Sequence, residues 1–571
     1  MSERVRAFLL RAALVALIGW GASLPIRDVL AYPDRISVLP NLQTDAPAYH
    51  AIGLELATTR SLEALPPRHP PGWVAVLGAL YTVTGPSFVA AKIVSWLAML
   101  ASIAMGASLA RHVYGTTAAW IAALLVAWSP ALRGYVGTVQ YEVVTATLLL
   151  MVLVLAWRTV RATTANELYG RAALTGAAGA ALILTRETFV VIVPLVGFWI
   201  LRRRLPLTRV RAAWLTFTIV VGVALMPAVL WSAVQSVRYG GLITISEKGP
   251  MVLELGNNPR ANGTYNAPLV GIGQPAGLAF VRAYPQQTLV LAGRKILYFW
   301  GVLRDGWNVP RPAAVWLWRA STGLLPLQAA AAIARGGWLL LLFVVSLLFL
   351  GREGLRAWWI LPAVVLTVMA VHIAVLSSHR FAVPVLPVVF VLVSGPLAAA
   401  IRFAAPSLRT PTVATAALAL ALIVVGLQYQ RWPLELQYQA ADLDGLEADN
   451  AVDPVSGRPA RIADAKRGLR PVVLLPDEYL PAGSLTTAVT VRRTGAMPPG
   501  VLPAMRLALV ELDGTVACAR DVSSDELPQD RFATIAVPCQ LSRDTAATLA
   551  IYSLGVSDLA LGEVHLTWNR R

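Results

Sequence analysis

Up to about residue 429 the chain alternates long uncharged apolar runs with short arginine-bearing segments. About 20 consecutive apolar residues cross a bilayer as a helix. The pattern predicts eleven spans, at 8–26, 87–110, 116–133, 143–158, 171–185, 188–201, 212–234, 333–350, 357–376, 381–401 and 411–429. Several are short, and 171–201 reads either as two spans or as one tilted span. The run 69–85 is apolar but shorter still, which predicts an interfacial helix. After residue 430 the period changes. Residues 430–471 read as a polar linker. From 472 onward, apolar and polar positions alternate in LTTAVTVRR (485–493), MRLALVEL (505–512), ATIAVPCQL (533–541), TLAIYSL (548–554) and EVHLTW (563–568). A period of two between turn residues predicts short strands, here a β-sandwich of about 100 residues. The expected fold class is a polytopic α-helical membrane domain over 1–429, a linker over 430–471 and a β-sandwich over 472–571.

Composition agrees with a membrane protein. Only 14% of the 571 residues are charged, against about 25% in soluble proteins. Residues 1–429 hold 34 Lys and Arg against 13 Asp and Glu, whereas 430–571 hold 14 against 18. The basic excess lies in segments between spans, as positive-inside bias requires, and does not call for a nucleic-acid partner. Arg4, Arg6 and Arg11 at the first span put the N-terminus in the cytoplasm. No small-x-small cleavage site ends that span, so it reads as a span and not a signal peptide. Eleven crossings then put the C-terminal domain outside, in a bacterial cytoplasmic membrane. The long loops 27–86 and 235–332 face outward. Cys518 and Cys539 are the only cysteines. They read either as a disulfide, if that domain is extracytoplasmic, or as two small buried hydrophobes. No cluster of Cys or His suggests a metal site.

Charge is expensive in a membrane, so the few acids are informative. Asp28, Asp34, Asp45, Glu55, Glu63, Glu142, Glu187, Glu247, Glu254 and Asp305 fall on or near the outer face. Asp45 precedes apolar positions Tyr49, Ile52 and Leu56 at helical spacing, with Pro47 close behind. By itself that predicts a helix N-cap, a position that also exposes a carboxylate. Glu142 follows Tyr141 at the outer start of a span, where a helix dipole favours an acid. Arg186 and Glu187 interrupt an apolar stretch, which reads as a turn between spans. His379 and Arg380 stand at the mouth of a span, where Arg can grip phosphate in a fork or simply anchor the interface. Lys295, in an aromatic segment, reads the same way. ELGNNPRANGTY (254–265) is a polar, turn-rich loop. Asp442 and Asp444 form a DxD, but within an acidic linker that reads as a solvated stretch.

Asp45 with Tyr49, Pro70-Pro71-Gly72, Glu142, LTRE (184–187), GNNP (256–259) and HRFAVPVLP (379–387), in this order, resemble the GT-C class of polytopic glycosyltransferases. Within it they are most similar to the family-39-like protein mannosyltransferases and aminoarabinose transferases, including the RgtA/B/C/D-like branch. The resemblance covers about 8–400. Some arabinofuranosyltransferases of similar build also carry an outer carbohydrate-binding-like domain. It implies transfer of a sugar from a polyprenyl-phosphate donor to an extracytoplasmic glycan, lipid or protein acceptor. Asp45 would be the general base, with Glu142 as a second catalytic acid of unassigned role. Arg186, Arg380, Lys295 and His379 would hold the donor phosphate, and Tyr49, His69, Asn257 and Asn258 would bind substrate. The first outer loop lacks the DxD of metal-dependent oligosaccharyltransferases, so no metal or other cofactor is expected. One carboxylate base suffices when the leaving group is already a phosphate anion, and direct displacement inverts the anomeric centre. A transporter or flippase of lipid-linked sugar is a second reading, although no inverted repeat is visible. A non-catalytic glycan-binding scaffold is a third.

Overall fold

A computed structural model describes residues 3–38, 45–246, 248–258, 261, 263–264, 274–302 and 337–404. In the C-terminal part it describes 435–438, 444–445, 448–452, 459–463, 471–474, 478–480, 483–494, 503–511, 516–541, 545–554 and 558–568. The chain divides into two compact units, Met1–Gln430 and Arg431–Arg571.

The first unit is helical: α1 Glu3–Ala31, α2 Ala46–Thr59, α3 Pro71–Thr84, α4 Phe88–Tyr114, α5 Thr116–Ala127, α6 Pro130–Val136, α7 Glu142–Val160, α8 Ala165–Thr185, α9 Ile192–Arg204 and α10 Val210–Tyr239. After these come α11 Lys248–Gly256, α12 Gln274–Ala283, α13 Pro285–Phe299, α14 Trp338–Trp358, α15 Ile360–Ala374, α16 His379–Ala382 and α17 Leu386–Ala404. Among the described residues seven helices are long and apolar enough to cross a membrane, or eight if the bent pair α5–α6 counts as one. Eleven spans are not confirmed among the described residues. The stretches read at 188–201 and 357–376 are helical, but α9 and α15 have 13 and 15 residues, too few for a span alone. The predicted span 411–429 lies outside the described residues. The pair α5–α6 bends by 49° where Ser129 and Pro130 interrupt the helix. Pro130 lacks an amide hydrogen and starts a new first turn, capped by the Ser129 hydroxyl. The 171–201 region forms two helices joined by a 3-10 turn at Glu187–Val191.

Two contacts set the geometry of the loops near Asp45. Helices α2 and α3 pack so closely that a Cβ on Gly53 would lie 2.7 Å from the Leu77 Cβ. The segment after α1 pairs with the segment before α7: Val38 N donates to Gly137 O at 2.8 Å and Val139 N to Ile36 O at 3.1 Å. Beside it Arg133 bonds Asp28 at 2.6 Å. These ties fix Tyr141 and Glu142 at the head of α7.

Among the described residues the second unit has twelve strands: β1 Glu435–Tyr438, β2 Asp444–Gly445, β3 Ala448–Val452, β4 Pro459–Ala463, β5 Pro471–Leu474, β6 Glu478–Leu480, β7 Gly483–Arg493, β8 Pro503–Glu511, β9 Val516–Ser523, β10 Ala533–Leu541, β11 Thr545–Ser553 and β12 Leu559–Trp568. They form two antiparallel sheets, β10-β7-β12-β4-β3 with β1 beside β12, and β2-β5-β11-β8-β9 with β6 beside β11. Every second residue of the long strands (Leu485, Val489 and Val491; Met505, Leu507 and Leu509; Leu549 and Ile551) enters one core. Residues 430–471 are therefore not a linker. They contribute β1 to β4 and part of β5, whose short polar sequences lack the alternation that marks a strand. Cys518 on β9 and Cys539 on β10 are bonded, with Cα atoms 5.5 Å apart, so the bridge joins one sheet to the other.

Candidate active site

Asp45 occupies the N-cap position of α2, yet its side chain accepts no hydrogen bond from the helix. It turns to two cations instead. Arg380 Nη1 lies 2.8 Å from Asp45 Oδ2, and Lys248 Nζ lies 3.2 Å from Oδ1. The Nε of Arg380 donates to Glu142 Oε1. One buried guanidinium thus joins carboxylates that are nearly a hundred residues apart in sequence. Arg380 is placed by the short helix α16, whose cap is the Ser378 hydroxyl. Glu142 is wholly buried at the first turn of α7. Burial alone would raise the pKa of Asp45, but Arg380 and Lys248 outweigh it and hold the carboxyl well below its usual range.

Aromatic rings wall the cluster. The Tyr49 ring meets His69 edge-on at 5.0 Å and Tyr141 at 5.4 Å. Burial and the Asp45 carboxylate push the Tyr49 hydroxyl up, so it stays protonated. Burial, helped by Lys248, pushes His69 down to about 4, which leaves a neutral imidazole at neutral pH. Arg186 ends α8 and stacks over Tyr141 at 5.7 Å and Phe381 at 5.0 Å. Only 3% of Arg186 is exposed. Among the described residues it has no carboxylate partner, and its Nη1 makes no hydrogen bond. A buried guanidinium without an anion is costly.

The sequence-predicted residues therefore separate into two groups. Asp45, Glu142, Arg186, Arg380, Tyr49 and His69 converge. Lys295, Asn257, Asn258 and His379 instead bind the neighbouring elements together. Lys295 donates to Asn257 Oδ1 at 2.9 Å, and burial pushes it down to about 8. Asn257 Nδ2 reaches Ala374 O and Val375 O at 3.0 and 3.2 Å. Asn258 Nδ2 bonds Glu254 O at 2.9 Å, and His379 Nδ1 lies 3.2 Å from Phe299 O. Both amides hydrogen-bond carbonyls at helix ends, where terminal carbonyls need donors. Arg380, expected at a phosphate, bridges two carboxylates. Lys248 was missed. Its signal was rarity, for this arginine-rich chain has only four lysines, Lys92, Lys248, Lys295 and Lys466. Glu247, Asp305 and Asp442 lie outside the described residues. Among the described residues no cluster of His, Cys, Asp and Glu is arranged to hold a metal.

Residues 68–231 match the dolichyl-phosphate-mannose-protein mannosyltransferase family. The match agrees with the family resemblance over those residues. No curated protein matches the sequence. Among solved structures the chain is similar to ArnT from Cupriavidus metallidurans bound to undecaprenyl phosphate. The identity is 15% over 75% of this chain and 73% of that one, with a TM-score of 0.42. It is also similar to an Archaeoglobus fulgidus oligosaccharyltransferase tethered to an acceptor peptide, at 13% identity over 73% and 55%, with a TM-score of 0.40. A carbohydrate-binding module from a Cellvibrio mixtus lichenase, in complex with cellotriose, matches 24% of this chain and 97% of its own, at 14% identity and a TM-score of 0.18.

Proposed function

We propose that this chain, whose residues 68–231 match the mannosyltransferase family, is an inverting transferase that moves a sugar from a polyprenyl phosphate to an extracytoplasmic acceptor, with Asp45 as general base. The observation that carries the reading is the departure of the Asp45 carboxylate from its own helix cap toward two cations, the buried Arg380 and the half-buried Lys248. A capping aspartate stabilises a helix. One drawn away by Arg380 and Lys248 is held for another task.

In this reading the acceptor hydroxyl approaches Asp45 and gives up its proton as it attacks the anomeric carbon. Arg380, clamped by Glu142, positions Asp45 and keeps it ionised. Arg186 stabilises the departing lipid phosphate, the anion that this buried guanidinium otherwise lacks. The rings of Tyr49 and Tyr141 give the sugar an apolar wall, and the neutral His69 imidazole offers it a hydrogen bond. The Asp45 face is the extracytoplasmic one. Supporting this are the arginines at the opposite ends of the helices.

The test is Asp45→Asn in proteoliposomes supplied with polyprenyl-phosphate mannose or arabinofuranose. Transfer falls at least about a thousandfold while donor binding survives. Near-normal turnover sinks the base assignment. Mass analysis of envelope glycans and lipid-linked sugars in a deletion strain then names acceptor and donor. Transport of donor without covalent change would favour a flippase.

A further inference from the structure

A concentration of arginines lies at the other end of the helices that bear the site. Helix α9 begins after the Glu187–Val191 turn, beside Arg186, and ends in Arg202, Arg203 and Arg204. Helix α15 runs back from Trp359 toward the segment of Ser378 and Arg380. Its 15 residues span roughly 22 Å at about 1.5 Å each. At that far end Arg202, Arg203, Arg352 and Arg356 surround a cavity of about 640 Å³ beside Trp359.

Three features single this cavity out. The first is uncompensated charge. None of the four arginines forms an ion pair among the described residues, nor does Glu353 between two of them, and the Nε of Arg203 is buried without a hydrogen bond. A nearby basic cavity of about 230 Å³ is different. There Arg171 pairs with Glu167 at 2.6 Å, and Arg161 stacks on Trp157 at 5.4 Å. The second is a backbone break. Gly351 sits at φ 59° inside α14, a left-handed conformation that favours glycine. It separates the apolar part of the helix from the turn that bears Arg352 and Arg356. The third is the neighbouring surface. Leu341, Leu348 and Phe349 of α14 are exposed (60%, 79% and 42%), as is Phe198 of α9 at 46%. Acyl chains can lie along these side chains, with a headgroup among the arginines.

We propose that this cavity binds the phosphate headgroup of an anionic phospholipid, at a site separate from that of the sugar donor. Guanidinium forks suit phosphate oxygens, and basic pockets between membrane helices suit lipid headgroups. Positive-inside bias explains arginines at this end of the helices. It does not explain why four of them converge on one cavity with no acid among its described lining residues.

The test uses the full chain in nanodiscs of phosphatidylcholine mixed with phosphatidylglycerol, with retained lipid counted by native mass spectrometry. The wild type retains phosphatidylglycerol in clear preference. Arg352→Gln with Arg356→Gln, both at exposed positions, lowers that preference roughly tenfold. Arg282→Gln, an exposed arginine of α12, leaves it unchanged. An equal preference in the wild type and the double variant overturns the site, as does an equal loss in the Arg282 variant. Displacement of the lipid by millimolar inorganic phosphate overturns the lipid assignment in favour of a soluble anion.

Discussion

Arg186 and Lys248 differ in how their charge is met, and that difference predicts different failures. Lys248 is paired with Asp45, so its loss acts through the carboxylate. Arg380 and Lys248 both lower the pKa of Asp45. Removing Lys248 lets it rise toward the ordinary aspartate value of about 3.9. With Asp45 as the proposed base, which works only when ionised, activity in Lys248→Gln begins to fall at a higher pH than in the wild type. The acid limb of a kcat/KM profile moves to higher pH. An unmoved limb removes Lys248 from the site. The same linkage governs stability. Stability gained from ionised Asp45 is complete above the unfolded aspartate value and is lost as pH falls through the lower folded one. Arg186 has no carboxylate to act through among the described residues. Arg186→Gln therefore raises the donor KM about tenfold or more and leaves the acceptor KM alone. Arg186→Lys does not restore it, because an ammonium lacks the planar fork that stacks between two rings. Full rescue by lysine would show that only charge is needed.

The element that sets the position of Arg186 is the contact of α3 with the end of α8. A Cβ on Gly72 would lie 2.7 Å from the Leu184 carbonyl carbon and 2.8 Å from Thr185 N. Both are backbone atoms and cannot swing aside. Gly72→Ala therefore pushes α3 away from the residues just before Arg186, at a cost of about 1–3 kcal/mol. Its expected signature is a lower melting temperature together with a higher donor KM, both read on the purified protein. An unchanged KM with lowered stability would confine Gly72 to packing. This contact also shows what the sequence reveals. Pro70-Pro71-Gly72 is readable as a helix start, since proline suits a first turn. That its glycine abuts α8 is not, because only the tertiary fold brings residue 72 to residue 184. The rarity of acids in an apolar chain singles out Asp45 and Glu142, but not that the fold joins both to Arg380. That the Asn257 amide meets a carbonyl at the end of α15 was not legible, because only the tertiary fold brings residue 257 to residue 374. The long strands β7, β8, β10, β11 and β12 were legible by alternation. The short polar strands β1 to β4 were not.

Across the whole molecule the two units are held by different forces, and the C-terminal one depends on its crosslink. The helical unit buries apolar stripes between helices. The sandwich closes one core between two sheets, and the bond from Cys518 to Cys539 ties those sheets where β9 and β10 meet. The bonded residues are separated by 21 positions. In the chain-entropy account a loop of that size removes about 3 kcal/mol of unfolded-state freedom. For a unit of this size that corresponds to a fall in melting temperature of roughly 10–20 °C. Cys518→Ser with Cys539→Ser in the full chain should therefore unfold the sandwich at a clearly lower temperature, read by scanning calorimetry or by limited proteolysis within 483–568. Reductant added to the wild type should reproduce the shift. If neither treatment moves the transition, the core of Leu485, Leu507, Ile551 and Val564 alone holds the sheets together.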